Sequence, residues 1–506
     1  MMSKNLIFPS FRYYLINYLI CPNFNRTLIR IIILLFIAAQ PILGYTASNT
    51  PKYLSLYISS SRGDDNNDGK SADKPFKTIR EAIKKTGKNR LHIRLKCGDL
   101  FFENITGLSN CIIESYGKGD KPILCGFKIL KHPDAWEADS EKGIWKLDLS
   151  NENDFTGYSL ESTSDKSYFN NIGCVYDSQK DKVYGHLVRS KEALKSNGDI
   201  FTSSLYKNED AKFKYLYLRY EQNPKILGNI CLSTYNHGIS NMNRCVIRNI
   251  AIIGFARHGI CNINHTKIQN CDVDIIGGSI QIGFKNWVRY GNGIECWISS
   301  SSIICDNTIS NCTISRTYDC GSTIQGKGKD LNSPCRIRFI HNTFIYCRQA
   351  FEHFLSDTNG KNVDYIDCTF SDNLCFMMGQ NQFNSPEKRD ANLLSYDKEN
   401  KSLLISKNLF YGAPYYCGRA FGTLKRNTVY IYKGNYLNHY HGQKNYPTIY
   451  ANDERSIETY RQCTHDNSRI YIIDEKSNFD KKMRKKLLKK IAYQSIRLKN
   501  IIKTNK

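Results

Sequence analysis

Three acidic residues stand in short segments that are rich in glycine and aromatic residues, and their side chains could carry out acid–base chemistry. Glu295 occurs in RYGNGIECW, Asp319 in RTYDCGSTIQG and Glu352 in RQAFEHF. Carboxyl groups held close together cannot all ionise freely, so one of them stays protonated and can act as an acid at neutral pH. Glycoside hydrolysis requires this division, because one carboxylic acid protonates the leaving oxygen while a carboxylate attacks carbon or activates water. The three acids are therefore predicted to be catalytic.

The residues around these acids have the types that bind sugars. Aromatic faces stack on pyranose rings, amides and hydroxyls bond sugar hydroxyls, and glycines allow the backbone to approach closely. The predicted substrate-binding residues are Arg257, His258, Tyr290, Asn292, Trp297, Thr323, Gln325 and His353.

Five short blocks that share one hexapeptide pattern indicate how these residues are positioned. The blocks IQNCDV, ICDNTI, FIHNTF, YIDCTF and ISKNLF carry at their fourth place Cys271, Asn307, Asn342, Cys368 and Asn408. Units this short must stack on their copies to bury an apolar face, and their β-branched and aromatic residues favour strands. The pattern predicts an all-β parallel β-helix in which Asn and Cys form one column and the side-chain amides bond their counterparts in the next coil. Adjacent rungs lie about 4.8 Å apart, so acids on neighbouring coils can converge.

Each acid also has a purely structural interpretation. Asp319 could cap a turn, Glu295 could form a salt bridge with Arg289, and Glu352 could pair with Arg348. Three acids on successive coils, beside glycines and aromatic residues, favour a functional role.

Residues 1–44 have the features of an export signal. Basic residues precede the apolar run Ile31 to Ala39, and small residues that permit cleavage follow Pro41. The run is too short to span a bilayer comfortably, although an uncleaved anchor is the alternative. A secreted or periplasmic location is therefore expected.

The remaining segments differ in pattern. Residues 45–130 are predicted to form an N-terminal cap and the first coils, and residues 131–233, rich in Trp, Tyr and charged residues, a β-rich insertion. Residues 234–436 are predicted to be the main β-helix with the active-site face, and residues 437–506 a C-terminal extension with a basic amphipathic tail. The tail is predicted either to contact an anionic surface peripherally or to be a solvated helix.

The opening segment carries a family resemblance. From Tyr53 to Lys85 a strand leads into an acidic turn, and Pro75 and Phe76 are expected to open an amphipathic helix. This arrangement resembles that of secreted bacterial proteins of the pectin-lyase-like right-handed β-helix superfamily, in which the helix caps the first coil.

The acid-bearing segments extend the resemblance. YGNGIE, YDCGSTIQG and AFEHF resemble segments of secreted Bacteroidetes-type β-helix proteins linked to polysaccharide utilisation, over residues 53 to about 436. Such relatives include hydrolases, lyases and proteins of unknown activity. The main β-helix segment, residues 234–436, contains none of the NTD, DD and RIK motifs of pectin-degrading hydrolases, so polygalacturonase activity is not expected.

The resemblance and the acids together predict a glycoside hydrolase acting on a polysaccharide or oligosaccharide. One alternative is a polysaccharide lyase, in which cationic or basic side chains neutralise a uronate and abstract its α-proton; the candidates are Arg257, His258, Lys285, Arg289 and Arg348. Another alternative is a non-catalytic protein that binds glycans or serves surface-polysaccharide assembly. A monomer without a nucleic-acid partner is expected, and the net charge of +24 reflects either a polyanionic partner or compositional bias.

Neither a cofactor nor a metal is predicted. All of the 19 cysteines except Cys21 follow the predicted signal, where they are spread singly and form no CxxC motif. Buried packing thiols explain this distribution better than disulfides or a cysteine-type zinc site. Asp64, Asp65, Asn67 and Asp68 could form a calcium loop, but short side chains that bond the turn's own backbone are the preferred interpretation.

Overall fold

The computed structural model describes residues 53–130, 135–149, 168–169, 172–202, 205–206, 215–227, 230–234, 237–281, 288–383, 390–397, 399, 401–418, 420–440, 448–486 and 488–489. The segment expected to be a signal peptide and the lyase candidate Lys285 lie outside these residues. None of the helices within the described ranges combines the length and hydrophobicity that a bilayer crossing requires.

The described chain winds into a parallel β-helix with three sheets of ten strands each. Each coil of the main solenoid contributes a strand to sheet A, then to sheet C, then to sheet B, and the strands of consecutive coils pair in parallel. The last pair of sheet B is antiparallel. The predicted all-β parallel β-helix is therefore confirmed.

Sheet A contains the strands Leu54–Ile58, Leu91–Lys96, Ile112–Tyr116, Val246–Arg248, Lys267–Gln269, Thr308–Ser310, Arg338–Ile340, Thr369–Ser371, Leu404–Ser406 and Thr423–Lys425. Sheet B contains Ile105–Thr106, Ile239–Asn243, Ile260–Asn264, Ile294–Ile298, Cys320–Gly328, Gln349–Asp357, Ala391–Ser395, Tyr416–Cys417, Tyr436–His439 and Ile449–Tyr450. Sheet C contains Leu100–Phe101, Ile123–Cys125, Ala251–Ile253, Asp272–Ile276, Thr313–Thr317, Thr343–Ile345, Leu374–Phe376, Leu409–Tyr411, Thr428–Tyr432 and Arg469–Ile473.

The interior of the coil is a stack of aliphatic and aromatic side chains. One inward column of sheet A consists of Ile247, Ile268, Ile309, Phe339 and Phe370, which align in register and have no exposed surface. Full burial of one such side chain stabilises the folded state by about 1.5–3 kcal/mol. Because a single coil leaves both of its edges open to water, this burial depends on the neighbouring coils.

The Asn and Cys residues of the hexapeptide occupy two corners of the coil, so the predicted single column was wrong. Cys271, Asn342 and Asn408 lie where the chain passes from sheet A to sheet C, whereas Asn307 and Cys368 lie where it enters sheet A from sheet B. At both corners the preceding residue adopts a left-handed conformation, with φ between 51° and 56°. The two turns therefore select the same short sequence.

A ladder of buried asparagines stabilises the corner between sheets A and C. The Oδ1 atoms of Asn373, Asn408 and Asn427 each accept the backbone N–H of the ladder residue one coil earlier, at 2.9, 2.9 and 3.0 Å. They also accept its side-chain Nδ2–H at 3.2, 3.0 and 3.0 Å, and the ladder begins at Asn342. The expected hydrogen bonds between side-chain amides of neighbouring coils are thus confirmed.

The N-terminal helix, Ile79–Thr86, packs Ile79 and Ala82 on the core. It begins later than expected, because the hydroxyl of Thr78 accepts the N–H of Glu81 at 3.2 Å and caps the helix there. Phe76, expected in the first turn of the helix, instead forms a parallel β-bridge with Ile58 of sheet A.

The acidic turn before this helix is held by hydrogen bonds to its own backbone. Asp64 accepts the N–H of Asn66 at 2.9 Å, and Asp68 accepts the N–H of Lys70 at 3.0 Å. The preferred interpretation of this turn is confirmed.

The insertion consists of mostly antiparallel strands. One sheet joins Phe127–Ile129, Val175–Asp177, Lys182–Tyr184 and Ile230–Ser233, and a second joins Trp136–Ala138, Ile144–Asp148, His186–Leu187, Asp199–Thr202 and Tyr215–Arg219. A two-stranded sheet and two 3-10 turns complete it: Tyr168–Phe169, Leu205–Tyr206, Lys191–Ala193 and Pro224–Ile226. The insertion shares a hydrophobic cluster with outward residues of sheet C.

The solenoid continues beyond residue 436. Arg469–Ile473 extends sheet C by pairing with Thr428–Tyr432, and the helix Glu454–Thr464 lies before it in the chain. In the basic tail, residues 478–486 are helical, and Met483 packs on a cluster that includes Tyr432. The tail after residue 489 lies outside the described residues.

All cysteines in the described residues are free thiols, and sixteen of these eighteen are buried. This distribution fits the predicted packing role.

Replacing Asn373 by alanine is expected to destabilise the protein by about 2–4 kcal/mol, because the change leaves several buried hydrogen-bonding groups without partners. Chemical denaturation measures the loss. The control is Asn359→Ala, since Asn359 is exposed and bonds an exposed Asp330. Equal effects of the two substitutions would contradict a stabilising ladder.

Candidate active site

A cavity of about 450 Å³ opens on the outer face of sheet B. Eight of the predicted site residues line it: His258, Tyr290, Asn292, Glu295, Trp297, Asp319, Gln325 and Glu352. The structure therefore brings all three predicted catalytic acids to one cavity.

The parallel register of sheet B places two of the acids in one column. Glu295 pairs with Thr323 on the next coil, and Thr323 pairs with Glu352 on the coil after that. Because successive side chains of a strand alternate between its faces and rungs repeat every 4.8 Å or so, the two glutamates share a face with α-carbons about 9.6 Å apart. Trp297 and Phe354 belong to a parallel column, two residues further along the same strands.

Glu295 is 8% exposed and accepts hydrogen bonds through a single oxygen. Its Oε2 atom lies 2.7 Å from Asn292 Nδ2, 3.4 Å from Gln325 Nε2 and 3.4 Å from His258 Nε2. Burial raises the pKa of Glu295 to about 7, although the hydrogen bonds from Asn292 and Gln325 oppose the rise. The Oε1 atom takes part in none of these contacts.

The tautomer of His258 follows from its contacts. The N–H of Asn292 donates to Nδ1 at 3.0 Å, so a neutral imidazole carries its proton on Nε2, which faces Glu295. Burial, with the neighbouring Arg257 guanidinium, lowers the pKa of His258 to about 3. The imidazole is therefore neutral at neutral pH, with Nε2 3.4 Å from Glu295 Oε2.

Glu352 is 6% exposed and shares a small cluster with Asp319 and Cys320. Cys320 Sγ lies 3.5 Å from Glu352 Oε2 and 3.8 Å from Asp319 Oδ1, and the oxygen and sulfur atoms of the three residues all lie within 4.8 Å of one another. Burial and the nearby Asp319 carboxylate raise the pKa of Glu352 to about 8. Arg348 lies 3.9 Å from Asp319 Oδ1 and supplies the neighbouring positive charge.

The structural interpretation of Glu295 as a partner of Arg289 is not what the structure shows. Arg289 is buried and donates to the carbonyl oxygens of Gly278, Gly185 and Gly173, the last two at 2.9 and 3.3 Å. These hydrogen bonds connect Gly173 and Gly185 of the insertion to Arg289, which lines the cavity.

Three predicted substrate-binding residues do not line the cavity. His353 has no exposed surface and contacts Tyr416 Oη at 3.2 Å inside the coil, because it follows Glu352 directly and points to the opposite face. Thr323 is buried between the two glutamates, and Arg257 lies over the ring of Tyr290, 4.8 Å from its centroid. Direct substrate contact by His353 does not fit this placement.

The glycines beside the acids serve contacts between coils. A Cβ atom on Gly259 would lie 2.5 Å from the carbonyl oxygen of Gly293, and one on Gly293 would lie 2.5 Å from that of Gly321. These glycines stack at the start of the strands of sheet B: Gly259 and Gly293 directly precede their strands, and Gly321 is the second residue of its strand. Because they have no side chains, the coils can approach closely there.

Sequence reasoning missed several cavity residues, including Lys327, Phe354, Leu394 and Tyr396. Phe354 and Lys327 each stand two positions after a predicted site residue, so the alternation of strand faces could have identified them. Leu394 and Tyr396 lie on the coil after Glu352, in which no site residue was predicted.

The oxygen, sulfur and oxygen donors of Asp319, Cys320 and Glu352 could hold a cation by their spacing alone. Arg348 already places a positive charge beside Asp319.

No protein-family model matches the chain, and no curated protein matches it. Among solved structures it is similar to XylC, solved in complex with xylose, at 12% identity and a TM-score of 0.42, over 78% of this chain and 71% of that one. It is also similar to a GH136 lacto-N-biosidase from Eubacterium ramulus, at 12% identity and a TM-score of 0.34, over 83% of this chain and 67% of that one. A tailspike protein of Pseudomonas phage LKA1 matches at 9% identity and a TM-score of 0.19, over 72% of this chain and 69% of that one. All three TM-scores are below 0.5, so the function of this chain has to be inferred from its cavity.

Replacing Glu352 by glutamine is expected to stabilise the protein increasingly as the pH rises from 5 to 8. The folded wild type keeps this proton up to about pH 8, whereas in the unfolded chain the side chain has the ordinary glutamate pKa of 4.5. Between these values the folded state binds more protons than the unfolded state, so rising pH lowers wild-type stability, by at most about 1.4 kcal/mol per pH unit. The difference in Tm between variant and wild type measures this.

The control for that measurement is Glu221→Gln, which changes an exposed glutamate of the insertion. A Tm difference for Glu352→Gln that stays constant from pH 5 to 8 would show that Glu352 has an ordinary pKa.

Proposed function

We propose that the chain is a glycoside hydrolase in which Glu352 is the general acid and Glu295 the general base. The observation that carries the proposal is the position of Glu295 and Glu352 in one column of sheet B. The two side chains stand two rungs apart and face the same cavity. Burial raises the pKa of both glutamates; the nearby Asp319 carboxylate raises that of Glu352 further, whereas hydrogen bonds from Asn292 and Gln325 oppose the rise at Glu295. These surroundings favour a protonated Glu352 and an ionised Glu295, which is the division of roles that the reaction needs.

Burial is the main cause that keeps Glu352 protonated, and the nearby Asp319 carboxylate adds to it. Two carboxylates this close repel each other, so the charge of Asp319 favours the neutral form of Glu352. Arg348, which lies 3.9 Å from Asp319 Oδ1, opposes this effect and lowers the pKa of Glu352.

Glu295 activates the attacking water in this account. Asn292 and Gln325 donate hydrogen bonds to its Oε2 atom and favour the ionised form, while Oε1 is left to accept a proton from water. Gln325 donates to Glu295 through Nε2, and its buried Oε1 atom has no hydrogen-bond partner among the described residues. We assign this oxygen to the second hydrogen of the same water.

The aromatic wall of the cavity suits a sugar ring. Trp297 is 38% exposed, and Phe354 and Tyr396 meet edge to face with ring centroids 5.6 Å apart. Such faces bind the apolar side of a pyranose. The substrate in this proposal is therefore a polysaccharide or oligosaccharide.

The lyase alternative finds less support in the geometry. Its candidate Arg289 donates to three backbone carbonyls, and the Nδ1 atom of the neutral His258 already accepts the Asn292 N–H. His258 therefore offers no free base to abstract an α-proton.

Glu352→Gln and Glu295→Gln are each expected to lower kcat about 10²- to 10⁴-fold on a natural glycan, because each removes one partner of the acid–base pair. The measurement is release of reducing ends from a panel of mucin, plant and bacterial capsule polysaccharides. Glu221→Gln is the matched control and should match wild type.

An aryl glycoside with a strongly acidic phenol separates the two roles. Such a leaving group needs no protonation, so Glu352→Gln should recover most of its activity on it, whereas Glu295→Gln should not. Undiminished hydrolysis in both variants would place the active site elsewhere, and binding without turnover in the wild type would favour a glycan-binding protein.

Hydrolysis is expected to invert the anomeric configuration. Inverting enzymes hold their carboxyl groups roughly 6.5–9.5 Å apart, to admit a water, and two rungs give a spacing of about 9.6 Å at the α-carbons. Proton NMR of the first-formed product reads the configuration directly. Retention would instead assign the partner role to Asp319, whose oxygen lies within 4.8 Å of the Glu352 donor atom.

A further inference from the structure

A lysine extends the row of side chains that forms the aromatic wall of the cavity. Trp297, Gln325 and Phe354 pair side by side on three consecutive coils and line the cavity. Lys327 follows Gln325 by two positions, so it stands on the same face of sheet B, about 6.6 Å further along the strand. Lys327 also lines the cavity and is exposed. The aromatic wall therefore ends at a cation.

The ammonium group of Lys327 is available to a ligand. Its Nζ atom takes part in no hydrogen bond or ion pair within the part of the chain that the structure describes. Ser356 pairs with Lys327 on the next coil and is exposed, and its hydroxyl is likewise without a hydrogen-bond partner among those residues. An ammonium group beside a hydroxyl offers two kinds of donor to the oxygens of a carboxylate or a sulfate.

The wall of the cavity also contains a buried cation that no described carboxylate neutralises. Among the buried arginines of the described ranges, Arg316 and Arg348 each have two carboxylate partners. Arg289 has none there: its Nε and Nη2 atoms donate to backbone carbonyls, and its buried Nη1 atom has no hydrogen-bond partner. A buried charge without a counter-charge is costly, and here it makes the potential of the cavity more positive.

The lining of the cavity thus carries an excess of positive charge. With Glu352 protonated, three cations stand against two ionised carboxylates: Arg289, Lys327 and Arg348 against Glu295 and Asp319. A concave site lined by an excess of one sign of charge raises the local concentration of ligands of the opposite sign. The ligand that this lining favours is an anion.

We propose that the glycan bound in this cavity is acidic, with a carboxylate or a sulfate ester on the sugar, and that Lys327 binds this group. The sugar ring lies on Trp297 and Phe354, and its anionic substituent reaches Lys327 and Ser356. The inference rests on the proposed function, because it names the class of substrate for the same cavity. Lys327 is a specificity-determining residue in this account and takes no part in the proton transfers.

The test uses each polysaccharide of the panel in three forms: native, carboxyl-reduced and desulfated. On a polysaccharide that the wild type cleaves, one of the two neutralised forms is expected to have a KM about 10- to 100-fold higher than the native form, because it lacks a charge-assisted hydrogen bond. A loss on carboxyl reduction assigns a carboxylate, and a loss on desulfation assigns a sulfate. Equal cleavage of all three forms would overturn the proposal.

Two substitutions of Lys327 show whether this residue carries the preference. Lys327→Met should remove most of the preference for the native form, whereas Lys327→Arg keeps the charge and should retain most of it. The matched control is Lys267→Met, which removes the same charge from an exposed position on sheet A and should leave the preference at its wild-type value. A Lys327→Met enzyme with the full preference would contradict the assignment.

Binding by the full-length Glu352→Gln variant separates this inference from the proposed function. Calorimetry with the same three forms is expected to show the same 10- to 100-fold loss on neutralisation, reduced when Lys327→Met is added. That result supports an acidic ligand even where the wild type cleaves nothing or releases unsaturated uronides, outcomes that contradict only the hydrolase. Equal binding of all three forms, or binding of none, would overturn the inference.

Discussion

The parallel register of sheet B is the constraint on which the site depends. It fixes Glu295, Thr323 and Glu352 on successive rungs and on the same face of the sheet. A shift of one residue in any of these strands would turn its acid into the apolar interior. The buried inward columns oppose such a shift, because it would move every core side chain of the strand to the outer face. The spacing of the two glutamates therefore follows from the packing of the core.

Burial of the two glutamates links this site to the stability of the fold. A carboxyl group is charged in water at neutral pH, and withdrawing it from water favours its neutral form. Both glutamates are less than a tenth exposed, and both have pKa values raised toward or above neutrality. They differ because donors surround Glu295 whereas another carboxylate adjoins Glu352. Two residues of one type thus acquire opposite roles from their surroundings.

Much of the fold was predictable from the sequence, because stacked coils repeat their corner residues. The hexapeptide identified the β-helix, yet it could not show that two corners use the same pattern, since both need a left-handed residue before a small buried one. The three acids were found by their glycine-rich and aromatic surroundings. His353 was predicted to bind substrate because it follows Glu352. Adjacent strand residues face opposite ways, however, and His353 points into the coil.

Contacts across long stretches of the chain could not be predicted in this way. Arg289 reaches the carbonyl oxygens of Gly173 and Gly185 in the insertion, more than a hundred residues earlier. Cys305 meets Cys335 because a whole coil separates them, and coil lengths vary with their loops. Such contacts depend on where each loop returns to the sheet, and no local pattern records that position.

The protonation states of the two glutamates are the central claim, and carbon-13 NMR of carboxyl-labelled glutamate tests them most directly. We predict one resonance, absent in Glu352→Gln, that titrates near pH 8, and another, absent in Glu295→Gln, that titrates near pH 7. Titration of both resonances near the ordinary glutamate value of 4.5 would contradict the account, because both groups would then be ionised at neutral pH and neither could act as the acid.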